Sequence, residues 1–145
     1  MGDRVKDTID VKATAEEIFE VATDFAGYPE WNPNIKETRV EETDGEGRAT
    51  HVWFKVDAKL KVVSYTLEYD YSDAPDSFSW DLVDGDVKKL SGSYAFDEFD
   101  DVTEVRYEME IDPGFKVPGF LKKQAEKQIV RSALEDLKKR VEGSG

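Results

Sequence analysis

The chain predicts an α+β domain in which a seven-stranded antiparallel sheet wraps around one long C-terminal helix, with two short helices after the first strand. Two patterns carry this expectation. Behind Pro118-Gly119-Phe120-Leu121, the residues from Lys122 to Val141 contain neither proline nor glycine, a length sufficient for roughly six helical turns. Between Ile35 and Asp112, apolar and polar residues alternate in runs separated by turn-forming clusters, as in half-buried strands. At 145 residues the chain has the size of one domain, residues 1–145, able to bury a core without metal or disulfide support.

In chain order, Asp3 to Val11 places Val5, Ile9 and Val11 on one side and Arg4, Lys6 and Asp10 on the other, a strand pattern. Thr14 then caps a short helix. Thr14-Ala15-Glu16-Glu17 is a capping box, followed by the apolar face Ile18, Phe19, Val21, Ala22 and Phe25, with Gly27 expected to end the helix. In Phe25-Ala26-Gly27-Tyr28-Pro29-Glu30-Trp31-Asn32-Pro33, Pro29 suits the first turn of a second short helix and Pro33 its exit. Tyr28 and Trp31, three apart, share a face that either plugs the end of the core or forms one wall of a pocket mouth.

Six further strands are expected at about Lys36 to Glu42, Ala49 to Val56, Lys59 to Ser72, Phe78 to Val83, Val87 to Phe99 and Thr103 to Asp112. The links include Asp44-Gly45-Glu46-Gly47, Asp57-Ala58, Asp73-Ala74-Pro75-Asp76, Asp84-Gly85-Asp86 and Asp100-Asp101. Such short links favour an antiparallel meander. Parity assigns Phe54, Tyr65, Leu67, Tyr69, Phe78, Trp80, Tyr94, Phe96, Tyr107 and Met109 to the apolar face. Their hydroxyl and indole groups, once buried, need one another, water or a ligand as partners.

The link Asp112 to Phe120 carries Phe115, Val117 and Phe120 and reads as a lid or as a plain hydrophobic connector. On the long helix, Leu121, Ala125, Ile129, Ala133, Leu137 and Val141 recur every fourth position, joined by Val130 and Leu134. Ile129 sits mid-row and is expected to touch the sheet. Gln124, Gln128 and Ser132 flank the row; a polar residue at that boundary is more often solvated, and Gln128 and Ser132 are the polar groups best placed to face a cavity. The small residues Ala125, Ser132 and Ala133 predict that sheet and helix enclose that cavity instead of packing solid.

Composition narrows the function. A formal net charge of -13, from 33 acidic against 20 basic side chains, makes the surface anionic and repels phosphate backbones, so nucleic acid is not expected as a partner. No cysteine is present, which excludes disulfides and thiolate chemistry. The start of the chain lacks a signal-peptide layout and no apolar run is long enough to span a bilayer. A soluble, cytoplasmic protein without integral membrane association is therefore expected. His51 is the only histidine, so His-rich metal sites are excluded, and no phosphate loop or dinucleotide fingerprint occurs. Neither a metal nor a nucleotide cofactor is expected. Parity puts His51 beside Trp53 and Lys55 on the solvent side, and no catalytic constellation stands out among the tyrosines, arginines and carboxylates.

The order strand, two short helices, six-stranded meander and long helix, together with Phe25-x-x-Tyr28-Pro29-x-Trp31-x-Pro33, resembles the polyketide cyclase/dehydrase and lipid-transport group of the START-like (SRPBCC, helix-grip) superfamily. The resemblance covers essentially the whole chain. It implies a sheet gripping the long helix around a hydrophobic cavity. Members bind lipids, quinones, hormones or polyketides, and a minority catalyse cyclisation or dehydration. The expected cavity residues are Tyr28 and Trp31, the ten sheet residues named above, and Phe115, Phe120, Leu121, Gln124, Ala125, Gln128, Ile129 and Ser132. The function expected is binding of a small hydrophobic or amphipathic ligand for transport, sequestration or sensing. A cyclase or dehydrase is the first alternative. A protein-interaction module resembling ribosome-associating toxins is the second, and the acidic surface weighs against it.

Overall fold

The structure is a computed structural model and describes residues 4–57, 61–112, 114, 116 and 118–143. Its elements run β1 (Val5–Val11), α1 (Ala15–Ala22), a 3₁₀ turn (Phe25–Gly27), α2 (Tyr28–Trp31), β2 (Ile35–Thr43), β3 (Ala49–Asp57), β4 (Val62–Asp70), β5 (Ser77–Gly85), β6 (Lys89–Phe99), β7 (Val102–Asp112) and α3 (Gly119–Gly143). All seven strands belong to one antiparallel sheet ordered β1-β7-β6-β5-β4-β3-β2, so β1 and β2 are its edges. The expected meander and long helix are both present. No helix among the described residues is long and apolar enough to cross a membrane.

Local chemistry explains where elements stop. The Thr14 hydroxyl accepts from the Glu17 N–H at 3.2 Å while the Glu17 carboxylate accepts from the Thr14 N–H, the reciprocal capping box. The helix does not reach Gly27. The Thr23 N–H and hydroxyl both bond back to the Phe19 carbonyl, closing α1 at Ala22, and the chain continues through a separate 3₁₀ turn. The β6–β7 hairpin pairs Lys89 with Asp112 through to Phe99 with Val102. Its turn is permitted by Asp100 in the left-handed region, φ 54°. Strand β5 extends past Val83 to Gly85, which has φ +147° and lies so close to Tyr65 that a Cβ there would stand 2.5 Å from its Cα. Strand β4 is shorter than expected, beginning at Val62 and ending at Asp70. The expected start of that strand, and Phe115 and Val117 of the proposed lid, lie outside the described residues.

Strand parity places the faces as expected. Val52, Phe54, Val63, Leu67, Tyr69, Phe78, Trp80, Leu90, Tyr94, Phe96, Val105 and Met109 are buried in one core with Phe19 and Phe25 of the helical segment. His51 stands on the other face, with its ring nitrogens 2.9 Å from Glu42 and 3.6 Å from Glu68.

Helix α3 packs on β1, β7, α1 and α2, and here the structure corrects the sequence reading. Its buried residues are Glu126, Val130, Ala133, Leu134, Leu137 and Val141. Leu121, Ala125 and Ile129, expected in the buried row, are exposed. With 3.6 residues per turn, a strict four-residue spacing drifts by about 40° per step, so a row from 121 to 141 winds through about 200°. One end of such a row must leave the core. Only its second half, from Ala133 onward, lies on the buried face.

Candidate functional site

The inner face of the sheet presents a continuous set of aromatic rings. Tyr94 packs on Tyr107 with ring centroids 4.7 Å apart, on Trp80 at 5.6 Å and on Phe78 at 5.5 Å. Trp80 reaches Tyr69 at 5.7 Å, and Tyr69 meets Phe25 at 4.7 Å. Tyr28 and Trp31 of α2 pack together at 4.8 Å, and Tyr28 also meets Phe54, which packs on Tyr65. Gly92 on β6 makes room for the Trp80 indole, since a Cβ there would stand 2.6 Å from the ring.

The polar atoms of these rings divide into two kinds. The Tyr28 hydroxyl donates to the Ala22 carbonyl and the Tyr71 hydroxyl to the Ala49 carbonyl at 2.6 Å. The hydroxyls of Tyr65, Tyr69, Tyr94 and Tyr107 have no hydrogen-bond partner among the described residues. No sealed side-chain nitrogen or oxygen among those residues lacks a partner, so these four hydroxyls open onto accessible space instead of being closed into packing.

Burial raises the pKa of every one of these phenols, most simply for Tyr107, which is pushed up to about 12. Tyr65 is raised by burial and then by Tyr107. Tyr69 is raised by burial and then by Tyr28, Tyr65, Tyr71 and Tyr107. For Tyr94, burial acts first, followed by Tyr28, Tyr107 and Asp136 of α3. Tyr65, Tyr69 and Tyr94 all feel Tyr107, so the four phenols are neighbours on the inner face of the sheet. At neutral pH they are uncharged phenols, able to donate to a ligand oxygen or to accept from a ligand hydroxyl.

Among the expected cavity residues, the structure gathers Tyr28, Phe54, Leu67, Tyr69, Phe78, Trp80, Tyr94, Phe96 and Met109 in the core, with Trp31, Tyr65 and Tyr107 partly buried against it. The helix residues are not gathered with them. Phe120 is 74% exposed, Leu121, Gln124, Ala125, Gln128 and Ile129 are exposed, and Ser132 is half-buried, accepting from the Gln128 amide at 2.9 Å. Phe115 lies outside the described residues. Glu126 takes the inward position instead, 3% exposed and 2.6 Å from the Lys122 ammonium. Sequence reading passed over it because a Lys-to-Glu pair four apart is the usual pattern of a solvated helix face.

A family model described as polyketide cyclase/dehydrase and lipid transport matches residues 3–142. No curated protein matches the chain by sequence. Among solved structures, a START superfamily protein from Mycobacterium smegmatis superposes with a TM-score of 0.90 at 24% identity, covering 98% of this chain and 99% of that one. The Zhui aromatase/cyclase from Streptomyces sp. R1128 gives 0.83 at 17% identity, covering 98% and 94%. A STAR-related lipid transfer protein from Xanthomonas axonopodis gives 0.74 at 15% identity, covering 96% and 85%. At these identities the structural likeness speaks for the fold.

Proposed function

Since the chain belongs to the polyketide cyclase/dehydrase and lipid-transport family, we propose that it binds a small apolar molecule bearing oxygen atoms between the inner sheet face and α3, for transport, sequestration or sensing. One observation carries this reading: four neighbouring tyrosine hydroxyls, from Tyr65, Tyr69, Tyr94 and Tyr107, have no hydrogen-bond partner among the described residues in an otherwise aromatic interior. A phenol hydroxyl that opens onto space within an aromatic interior keeps its donor and acceptor capacity for a ligand or water. A core meant only to be solid would carry phenylalanine at these positions. A ligand with carbonyl or hydroxyl groups on a flat or chain-like apolar frame satisfies the phenols and covers the rings.

The test is titration with a fatty acid, a quinone and an aromatic polyketide, read by tryptophan fluorescence through Trp80 and by melting temperature. A ligand that binds only the folded state raises the Tm, and an oxygenated aromatic ligand is expected to raise it most. Saturating amounts of all three that leave both signals unchanged overturn the reading.

Cyclisation or dehydration is a second reading, favoured by Glu126. Its carboxylate, 3% exposed on the buried side of α3 and held at 2.6 Å by the Lys122 ammonium, belongs to a residue type that general acid–base catalysis uses. Under this reading the wild type converts a linear poly-β-ketone and Glu126→Gln does not. Equal product yields from the two proteins remove Glu126 from any such role.

A further inference from the structure

A groove of about 610 Å³ runs between β1 and the first half of α3, on the outer side of that helix. Five of its nine lining residues are cationic, Arg4, Lys6, Lys123, Lys127 and Arg131, and one is a carboxylate, Asp7. Arg4 is already paired with Glu108 and Glu110, and Arg131 with Asp7 and Glu135, so Lys6, Lys123 and Lys127 are the lining cations without an ion pair among the described residues, in a chain of net charge -13. At physiological salt, charges are screened over about 8 Å, so a short segment entering the groove meets these cations more than the distant acidic surface.

The groove also contains a stretch of sheet edge that no described strand pairs. Strand β1 pairs with β7 on one side only. On its other side α3 caps alternate residues: the Thr8 carbonyl accepts from the Arg131 guanidinium at 3.2 Å, the Asp10 carbonyl accepts from the Lys138 ammonium, and the Lys12 N–H donates to the Glu142 carboxylate at 3.0 Å. Backbone groups two residues apart face the same edge of a strand. Lys6 is the preceding member of this series, so its N–H and C=O point into the groove, and no described residue bonds them. Gln124 and Gln128 stand exposed on the facing side of α3, each carrying an amide donor and acceptor.

We propose that this groove receives an extended, carboxylate-rich segment of another protein, which adds to β1 at Lys6 as a further strand and sets its acidic side chains against Lys123 and Lys127. Main-chain bonding at the edge supplies register and the cations select the charge. The free edge decides between occupants. A nucleic acid or anionic lipid surface would answer the cations but leave the Lys6 backbone groups unbonded, and a long polyanion would be repelled by the rest of the molecule.

The experiment uses the full chain and a fluorescein-labelled ten-residue peptide alternating Glu and Val, so that one strand face is acidic. Fluorescence anisotropy is expected to show saturable binding that weakens as salt rises. Lys123→Glu/Lys127→Glu and Lys6→Pro are each expected to weaken it at least tenfold. Proline is tolerated where an edge strand's N–H faces outward, and denaturation curves establish that both variants fold. Independently of any variant, the Lys6 amide is expected to become protected from hydrogen exchange when the peptide binds. Equal binding of a Lys-Val peptide, or no protection at Lys6, overturns strand addition. Binding to phosphatidylglycerol vesicles without peptide binding overturns the choice of partner. Self-association of the chain in sedimentation that the peptide does not compete away also overturns it.

Discussion

Tyr28 and Tyr94 are both buried phenols on the inner side of the sheet, yet among the described residues only Tyr28 has an acceptor, the Ala22 carbonyl. Tyr28→Phe is therefore expected to cost about 0.5–1.5 kcal/mol of stability. Tyr94→Phe breaks no hydrogen bond and is expected to leave the denaturation midpoint unchanged or slightly raised, while weakening ligand binding. Denaturation curves and ligand titrations on both variants check the contrast, and a large stability loss at Tyr94 refutes it. Gly92 is a second case in which one atom decides. A methyl group there would lie 2.6 Å from the Trp80 ring and 2.8 Å from the Glu108 carbonyl. Gly92→Ala is expected to destabilise by about 1–3 kcal/mol through overpacking and to shift tryptophan emission as the indole is displaced. Unchanged emission and midpoint would show that the strand yields instead.

Helix α3 shows what periodicity can and cannot settle at the scale of an element. Its existence and length were legible, because Lys122 to Val141 has no breaker and its apolar positions repeat near the helical period. Its orientation was only half legible, because the four-residue row winds away from the core toward Leu121. Leu134 is fully buried, and Leu134→Ala is expected to cost about 2–5 kcal/mol. Ile129 is 40% exposed, and Ile129→Ala is expected to cost about 1 kcal/mol or less. Urea denaturation of the two variants decides, and equal losses would put both residues in the core. The capping box at Thr14 and Glu17, in contrast, was readable to the residue, because its geometry is set within four consecutive positions.

For the whole molecule, the buried phenols set an alkaline limit. In the unfolded chain a tyrosine ionises near pH ~10. In the folded protein burial holds Tyr28, Tyr65, Tyr69 and Tyr94 above that value and places Tyr107 at about 12. Below about pH 10 both states keep their protons and the stabilisation is complete. Above it the unfolded state loses protons first, so stability falls as pH rises through the folded values. The denaturation midpoint is expected to hold between pH 7 and 9 and to drop steeply toward pH 11.5. The drop is expected to be smaller in a Tyr69→Phe/Tyr94→Phe variant, and an identical drop in the two proteins would assign it to other groups, such as the lysines.

The sequence by itself determined the order of elements, the parity of the strands other than β2 and the aromatic inner face, because alternation, turn residues and caps act over a few neighbouring positions. Tertiary structure alone decided which side of α3 faces inward, that Glu126 is buried with Lys122 while Gln124 and Gln128 stand outside, and which tyrosine hydroxyls find a carbonyl. The first two outcomes depend on how the helix is rotated against β1, β7, α1 and α2, and the third on where the Ala22 and Ala49 carbonyls lie. That rotation buries Val130, Leu134 and Leu137 and brings Arg131, Lys138 and Glu142 to the edge of β1, partners more than a hundred positions away, to which no local pattern in the helix refers.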